Sequence, residues 1–238
     1  MKTNKRKRYQ WLLFGLMVSI IGPLSEWLLF SLLPKDSEQV RLISYLYAEI
    51  SALIVFGLFG YILGSYADRV ESLAVTDRLT GLYNRHHMML RLEELTQLQQ
   101  RYGEHFSLIM LDLDHFKAVN DQFGHMVGDQ TLKAVSTTLA DQLRDTDIPC
   151  RYGGEEFLVV CPHTHLDECY LLAERIRAAI EQLGPQELGH PGPQTLSAGV
   201  FEVQETFSAG LMTALNCADE ALYQAKKAGR NRVARGAI

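Results

Sequence analysis

The residues best equipped for chemistry are a glycine pair followed by two acids, Gly153-Gly154-Glu155-Glu156-Phe157, and an aspartate at the end of an apolar run, Asp112 in Leu111-Asp112-Leu113-Asp114. Carboxylate oxygens converging on one point suit a hard divalent cation such as Mg²⁺, which favours carboxylate and phosphate ligands. Glycines beside the acids let a bulky triphosphate approach the backbone. Phosphoryl transfer asks a protein mainly for positioning and charge neutralisation, and these residue types supply both. A glycine turn carrying two acids is, by composition alone, usually a solvated hairpin. The chemical reading therefore depends on whether the fold brings Asp112 beside the hairpin.

The elements that would do so are legible in the pattern. Phe106 to Leu113 concentrates apolar residues as a buried strand does. Ile148 to Tyr152 and Glu156 to Cys161 read as two strands joined by Gly153-Gly154. Helices are expected from Arg85 to Arg101, from a turn at Lys117 to Leu143, from Asp167 to Leu183 and from Asn216 to Ala228, with a strand from Thr195 to Val203. The order strand-helix-strand-strand-helix-strand is that of an α+β ferredoxin-like sandwich. That order sets the first strand beside the hairpin. It also predicts a sheet with one face covered by helices and the other free for a ligand.

Ahead of this domain the sequence changes character. The chain has 238 residues and a formal net charge of −5, which excludes a general nucleic-acid binder. Yet Lys2, Lys5, Arg6, Lys7 and Arg8 crowd the start with no acid among them. Two apolar runs follow, Trp11 to Leu33 and Leu42 to Tyr66, each long enough to cross a bilayer, which takes about 20 residues. The first run is too long for a signal-peptide core, so a cleaved leader is the weaker reading. The basic cluster predicts an N-terminus inside, a tight outer turn and a domain inside, with membrane lipid as a partner. The expected organisation is a basic N-terminus (1–10), a two-helix transmembrane anchor (11–66), a helical stalk (67–76) and a catalytic domain (77–238). Glu26 and Glu49 are expensive at membrane depth unless paired or near an interface. Four cysteines, Cys150, Cys161, Cys169 and Cys217, lack zinc-site spacing and are expected as free thiols.

Taken in order, the motifs carry a resemblance. Asp77-x-Leu-Thr-Gly-Leu-x-Asn-Arg85, Asp112-Leu-Asp-His-Phe-Lys-x-x-Asn-Asp121, Gly124-His125-x-x-Gly-Asp129, Arg151-Tyr-Gly-Gly-Glu-Glu-Phe157, Thr195-x-Ser-x-Gly199 and Ala218-Asp-x-Ala-Leu-Tyr-x-Ala-Lys226-x-x-Gly-Arg-Asn231 succeed one another at workable separations. From about Asp77 to the end the chain resembles a GGDEF-family diguanylate cyclase, in the GGEEF variant of the signature.

The resemblance implies condensation of two GTP into cyclic di-GMP with release of two pyrophosphates, by a homodimer holding one GTP per subunit. Asp112, the main-chain carbonyl of Leu113, Glu155 and Glu156 would hold Mg²⁺, with Mn²⁺ an alternative. Glu156 would either assist the metals or accept the proton of the attacking 3′-hydroxyl, and the sequence leaves both roles open. Asn120 and Asp129 would read the guanine edge, where a carboxylate can accept from N1 and the exocyclic amine. His125 would border that pocket, and Gly153 and Gly154 would admit the phosphates. Lys226 and Arg230 would neutralise the triphosphate; without the resemblance they read as cations favouring a helix C-terminus. Arg144 and Asp147 have the spacing of the family's Arg-x-x-Asp product-inhibition site, with Arg175 as a second contact, so cyclic di-GMP is expected as product and inhibitor. The implied location is the bacterial cytoplasmic (inner) membrane, multi-pass. The rival reading is a catalytically inactive GGDEF receptor for cyclic di-GMP or GTP; the intact acids Asp112, Glu155 and Glu156 weigh against it.

Overall fold

A computed structural model describes residue 28 and residues 38–72, 75–204 and 207–237. The chain divides into two compact units, one up to residue 73 and one from residue 74 onward.

Among the described residues of the first unit, helix α1 (Glu38–Ser72) contains the apolar stretch Leu42–Leu63, 22 residues with a mean hydropathy of 1.9, in which Ser44 alone is buried. At 1.5 Å per residue such a stretch is about 33 Å long, enough for a hydrocarbon core of about 30 Å. Leu53, Phe56 and Tyr61 are largely exposed. Among the described residues this is the one helix long and apolar enough to span a membrane. The expected first span, 11–33, lies outside the described residues except for residue 28. Of the expected two-helix anchor, the described residues show one candidate span.

The second unit is built on a six-stranded sheet in the order β1-β3-β4-β2-β5-β6. Its strands are β1 (Tyr83–Asn84), β2 (Phe106–Leu113), β3 (Ile148–Arg151), β4 (Glu156–Pro162), β5 (Leu196–Val203) and β6 (Val233–Arg235). β2 pairs antiparallel with both β4 and β5, and β3 antiparallel with β4, which is the ferredoxin-like arrangement. The short β1 and β6 extend the sheet by parallel pairing to β3 and β5.

Helices cover both faces, which corrects the expectation of one free face. On one side α4 (His125–Asp141) and α5 (Leu166–Glu181) bring Leu132, Val135, Leu139, Ala173 and Ile176 against Ile109, Leu111 and Leu113. On the other, α2 (Arg85–Tyr102) and α7 (Leu211–Lys227) bring Met88, Leu92, Ala214, Ala218 and Leu222 against Leu108, Met110 and Phe201. Every residue of β2 is buried, as a strand with both faces covered requires. A ligand must therefore approach the end of the sheet. Two further differences are local. The expected helix from Lys117 to Leu143 is two, α3 (Phe116–Phe123) and α4, because Gly124 adopts φ +85° and breaks the path between them. The loop after α5 holds one extra turn, α6 (Pro185–Leu188).

Candidate functional site

Strand register fixes the acidic cluster. Asp112 of β2 stands opposite Glu156 of β4, and Leu113 N–H donates to the Glu155 carbonyl at 3.2 Å. The turn is closed by Tyr152 and Gly153 N–H groups, both donating to the Glu156 carbonyl at 2.8 and 3.2 Å. Its two glycines differ in purpose. The Glu156 carboxylate folds over Gly153 so closely that a Cβ there would collide with Oε2, whereas Gly154 faces open space.

Alternation along β2 turns Asp112 toward the α7 side, as it does Met110. Asp112 is 7 % exposed, and the Lys226 ammonium at the end of α7 reaches its Oδ1 at 2.8 Å. Burial raises the Asp112 carboxyl above its usual range; the Lys226 hydrogen bond and charge oppose this, Asp114 adds to it, and Arg230 lessens it. Glu155 is also raised, first by burial and then by the charge of Asp112, with Lys226 opposing and Glu156 adding. The cluster therefore carries more negative charge than Lys226 neutralises.

The hairpin is braced from behind. Arg151 Nη2 donates to the Gly154 carbonyl at 2.8 Å while Nη1 reaches Asp77 Oδ1 at 3.2 Å. Asp77 accepts from Thr80 N–H at 2.9 Å and from its hydroxyl at 2.7 Å. Burial pushes the Asp77 carboxyl up, but the bonds from Thr80 and Arg151 hold it below its usual value. Asp77 and Arg151 are thus the working ends of two motifs to which the sequence assigned no role.

Asp114, likewise unassigned, is buried and gathers the strand ends. Its carboxylate accepts from the Ser197 hydroxyl at 2.7 Å, the Thr195 hydroxyl at 2.8 Å and Asn231 N–H at 3.0 Å. The motif Thr195-x-Ser-x-Gly199 is explained by the same geometry. Its two hydroxyls hold Asp114, and Gly199 lets the α7 backbone lie directly on β5.

Asn120 on α3 and Asp129 on α4 flank the Gly124 elbow. The Asn120 amide lies over Gly128, where any Cβ would strike its Oδ1. His125 and Asp129 are both exposed and one turn apart on α4. Arg230 is exposed beyond α7. Arg144 and Asp147 form a reciprocal turn, with Arg144 N–H donating to Asp147 Oδ2 at 2.9 Å and Asp147 N–H to the Arg144 carbonyl at 3.0 Å. Arg175 joins that corner by donating to the Gln142 carbonyl at 2.5 Å. The cysteines are free, with Cys150, Cys161 and Cys169 in the core; burial pushes the Cys150 thiol up to about 12. Among the described residues no group of three His, Cys, Asp or Glu side chains is arranged to hold a metal alone.

The family described as "Diguanylate cyclase, GGDEF domain" matches residues 74–232. The chain belongs to the GGDEF family. Among curated relatives, "Response regulator PleD" of Caulobacter vibrioides is 39 % identical over 176 residues, covering 70 % of this chain and 37 % of PleD. "Diguanylate cyclase DgcP" of Pseudomonas aeruginosa is 43 % identical over 171 residues, covering 71 % of this chain and 25 % of DgcP. This GGDEF protein thus spans well under two thirds of the length of those relatives. Among solved structures, the GGDEF domain of DgcB from Caulobacter crescentus in complex with c-di-GMP is 33 % identical with a TM-score of 0.63, covering 68 % of this chain and 95 % of that one. Diguanylate cyclase SiaD from Pseudomonas aeruginosa, in complex with its activator SiaC, is 29 % identical with a TM-score of 0.64 and covers 98 % of this chain and 89 % of that one.

Proposed function

We propose that this chain is a diguanylate cyclase, joining two GTP into cyclic di-GMP with release of two pyrophosphates. The observation that carries the proposal is the sheet end where Asp112, Glu155 and Glu156 meet Lys226. Its surplus negative charge suits a divalent cation, and its single paired ammonium suits a phosphate. Mg²⁺ commonly binds through one or two carboxylates together with substrate phosphates, which fits a donor set of Asp112, Glu155 and the Leu113 carbonyl with Glu156 at hand. Mn²⁺ shares those ligand preferences. When bound, the metal would polarise the phosphates and neutralise charge developing on them.

The protein's own groups would do the rest. Asn120 and Asp129 would hold the guanine edge and His125 would border it. Gly153 and Gly154 would let the phosphates approach the turn, and Lys226 and Arg230 would draw them in. The 3′-hydroxyl of one GTP would attack the α-phosphorus of the other, forming the new P–O bond as the bond to pyrophosphate breaks. Its proton would pass to Glu156 or to water. A second attack in the opposite sense closes the ring. One GTP per subunit therefore requires a homodimer with facing sites. Arg144, Asp147 and Arg175 would capture product at a separate corner, and α1, with or without a further span at 11–33, would hold the domain at a bacterial cytoplasmic membrane.

The test is purified full chain with Mg²⁺ and labelled GTP, beside Glu155→Ala and Asp112→Ala. Cyclic di-GMP from the wild type alone is the expected result. Its absence from wild type that is dimeric would overturn the proposal in favour of a binding protein.

A further inference from the structure

Arg230 and Asn231 are consecutive non-glycine residues in the left-handed region, at φ +63° and +45°. That conformation is disfavoured for residues with a Cβ, for arginine more than for asparagine. The surroundings hold it in place. The Asn231 side chain donates from Nδ2 to Glu181 Oε1 at 2.7 Å and accepts at Oδ1 from Arg177 Nη1 at 2.8 Å. Its backbone N–H donates to buried Asp114 at 3.0 Å. Arg177 is itself held between Glu174 Oε2 at 2.9 Å and Glu181 Oε2 at 2.7 Å. On the other side of the loop, Arg230 N–H donates to the Ala225 carbonyl at 3.1 Å, and its own carbonyl accepts from Arg232 Nε at 3.0 Å. Four side chains, Asp114 just past β2, Arg177 and Glu181 on α5 and Arg232 of the loop, thus converge on two residues, and the exposed one is a cation whose charge acts on Asp112.

We infer that Asn231, clamped by Glu181, Arg177 and Asp114, is a positioning residue that holds Arg230 in its left-handed conformation so that the guanidinium faces an incoming triphosphate at the Asp112 end of the sheet. The inference rests on the proposed function in assigning a nucleotide triphosphate to that end. The clamp explains why asparagine stands at this position. Asparagine tolerates the left-handed backbone, and its amide satisfies a carboxylate and a guanidinium at once. Glycine would tolerate the backbone equally but leave both partners without it.

The test measures binding of inorganic triphosphate to full chain in lipid nanodiscs by calorimetry, for wild type, Arg230→Ala, Asn231→Ala and the double variant. Each single substitution is expected to weaken binding about tenfold, the scale of one charge-assisted hydrogen bond. The double variant is expected to bind no more weakly than Arg230→Ala, because Asn231 acts through Arg230. Weakening that multiplies in the double variant overturns the inference, as does unchanged binding in Asn231→Ala or a wild type that does not bind triphosphate. Asn231→Gly guards against misfolding; it is expected to lose affinity like Asn231→Ala, and wild-type affinity would show that backbone freedom alone matters and sink the clamp. In turnover, Asn231→Ala should raise KM for GTP more than it lowers kcat. Arg230-dependent triphosphate binding without any cyclic dinucleotide would remove the proposed function and leave the clamp standing.

Discussion

Gly199 offers a perturbation whose consequence can be worked from geometry. It lies in the middle of β5, paired with Met110 of β2 and Ala234 of β6. Its bare Cα faces α7, and a Cβ would run into the Ala218 carbonyl oxygen and the Leu222 nitrogen, with Ala221 C at 2.9 Å. These are backbone atoms of a helix packed on a sheet, so no rotamer change relieves them. Restoring ordinary van der Waals contact at Gly199→Ala needs α7 to withdraw by roughly 1 Å. Overpacking of this kind costs about 1–3 kcal/mol, and rigid backbone neighbours favour the upper part of that range. Lys226 lies one turn beyond Leu222, so the same withdrawal lengthens its 2.8 Å bond to Asp112. Removing a partner from a buried pair costs about 3–5 kcal/mol, discounted here to about 1 because Lys226 is partly exposed and the pair is only stretched. The expected loss is about 3 kcal/mol, which for a domain of this size lowers Tm by roughly 6–12 °C. Scanning calorimetry of the full chain in detergent measures it, with Gly154→Ala as control because that site faces open space. A Gly199→Ala transition no lower than that of Gly154→Ala would refute the claim that α7 rests on β5 backbone to backbone.

The Asp77–Arg151 brace predicts that Arg151→Ala frees the Gly154 carbonyl and loosens the hairpin. Activity should fall about tenfold or more while Tm falls by only a few degrees, since the pair is partly exposed; an unchanged turnover rate would dismiss the brace. Glu155 carries a pH signature. Its carboxyl is raised in the folded state by burial and by Asp112, so the folded chain keeps this proton to higher pH than the unfolded one. Stability must therefore fall as pH rises from the ordinary glutamate value of 4.5 through the raised value, and Glu155→Gln removes that fall. Denaturant titrations of both proteins should coincide below the window and diverge above it in favour of Gln. A Gln variant that is less stable above the window would reverse the sign and count against the crowded acidic cluster. Arg144 holds its turn through backbone groups, so Arg144→Ala should change stability by less than about 0.5 kcal/mol. It should relieve inhibition by cyclic di-GMP without altering the initial rate, and inhibition of wild-type strength in the variant would refute the product-site assignment.

Much of this protein is written in short stretches. The buried strand at Phe106–Leu113, the hairpin at Gly153-Gly154 and the central strand order follow from hydrophobic period and turn chemistry, which act over a few residues. The acids and cations proposed for metal and phosphate stood out because they sit at the ends of those elements within motifs. Apolar length likewise marked the run from Leu42 to Tyr66, within which the candidate span Leu42–Leu63 lies. Other features depended on contacts between distant parts of the chain. β1 and β6 are two and three residues long, too short to carry any period, and exist only because β3 and β5 offer them open edges. The second covered face arises because α2 and α7, outside the strand-helix-strand-strand-helix-strand unit, have nowhere else to bury Met88, Leu92, Ala218 and Leu222. The break at Gly124 was invisible to periodicity, since the helical pattern continues on either side of it.

The sequence by itself determined which side chains this protein could use: three carboxylates near two strand ends, a cation at a helix end and a glycine turn. Tertiary structure alone decided that Lys226 pairs with Asp112, that Arg151 holds the hairpin to Asp77 and that Asp114 and Asn231 tie the late loop to the first strand. The physical reason is range. Propensity and period are properties of neighbours along the chain, whereas the charge balance of a buried carboxylate depends on whichever elements the packed core brings to it.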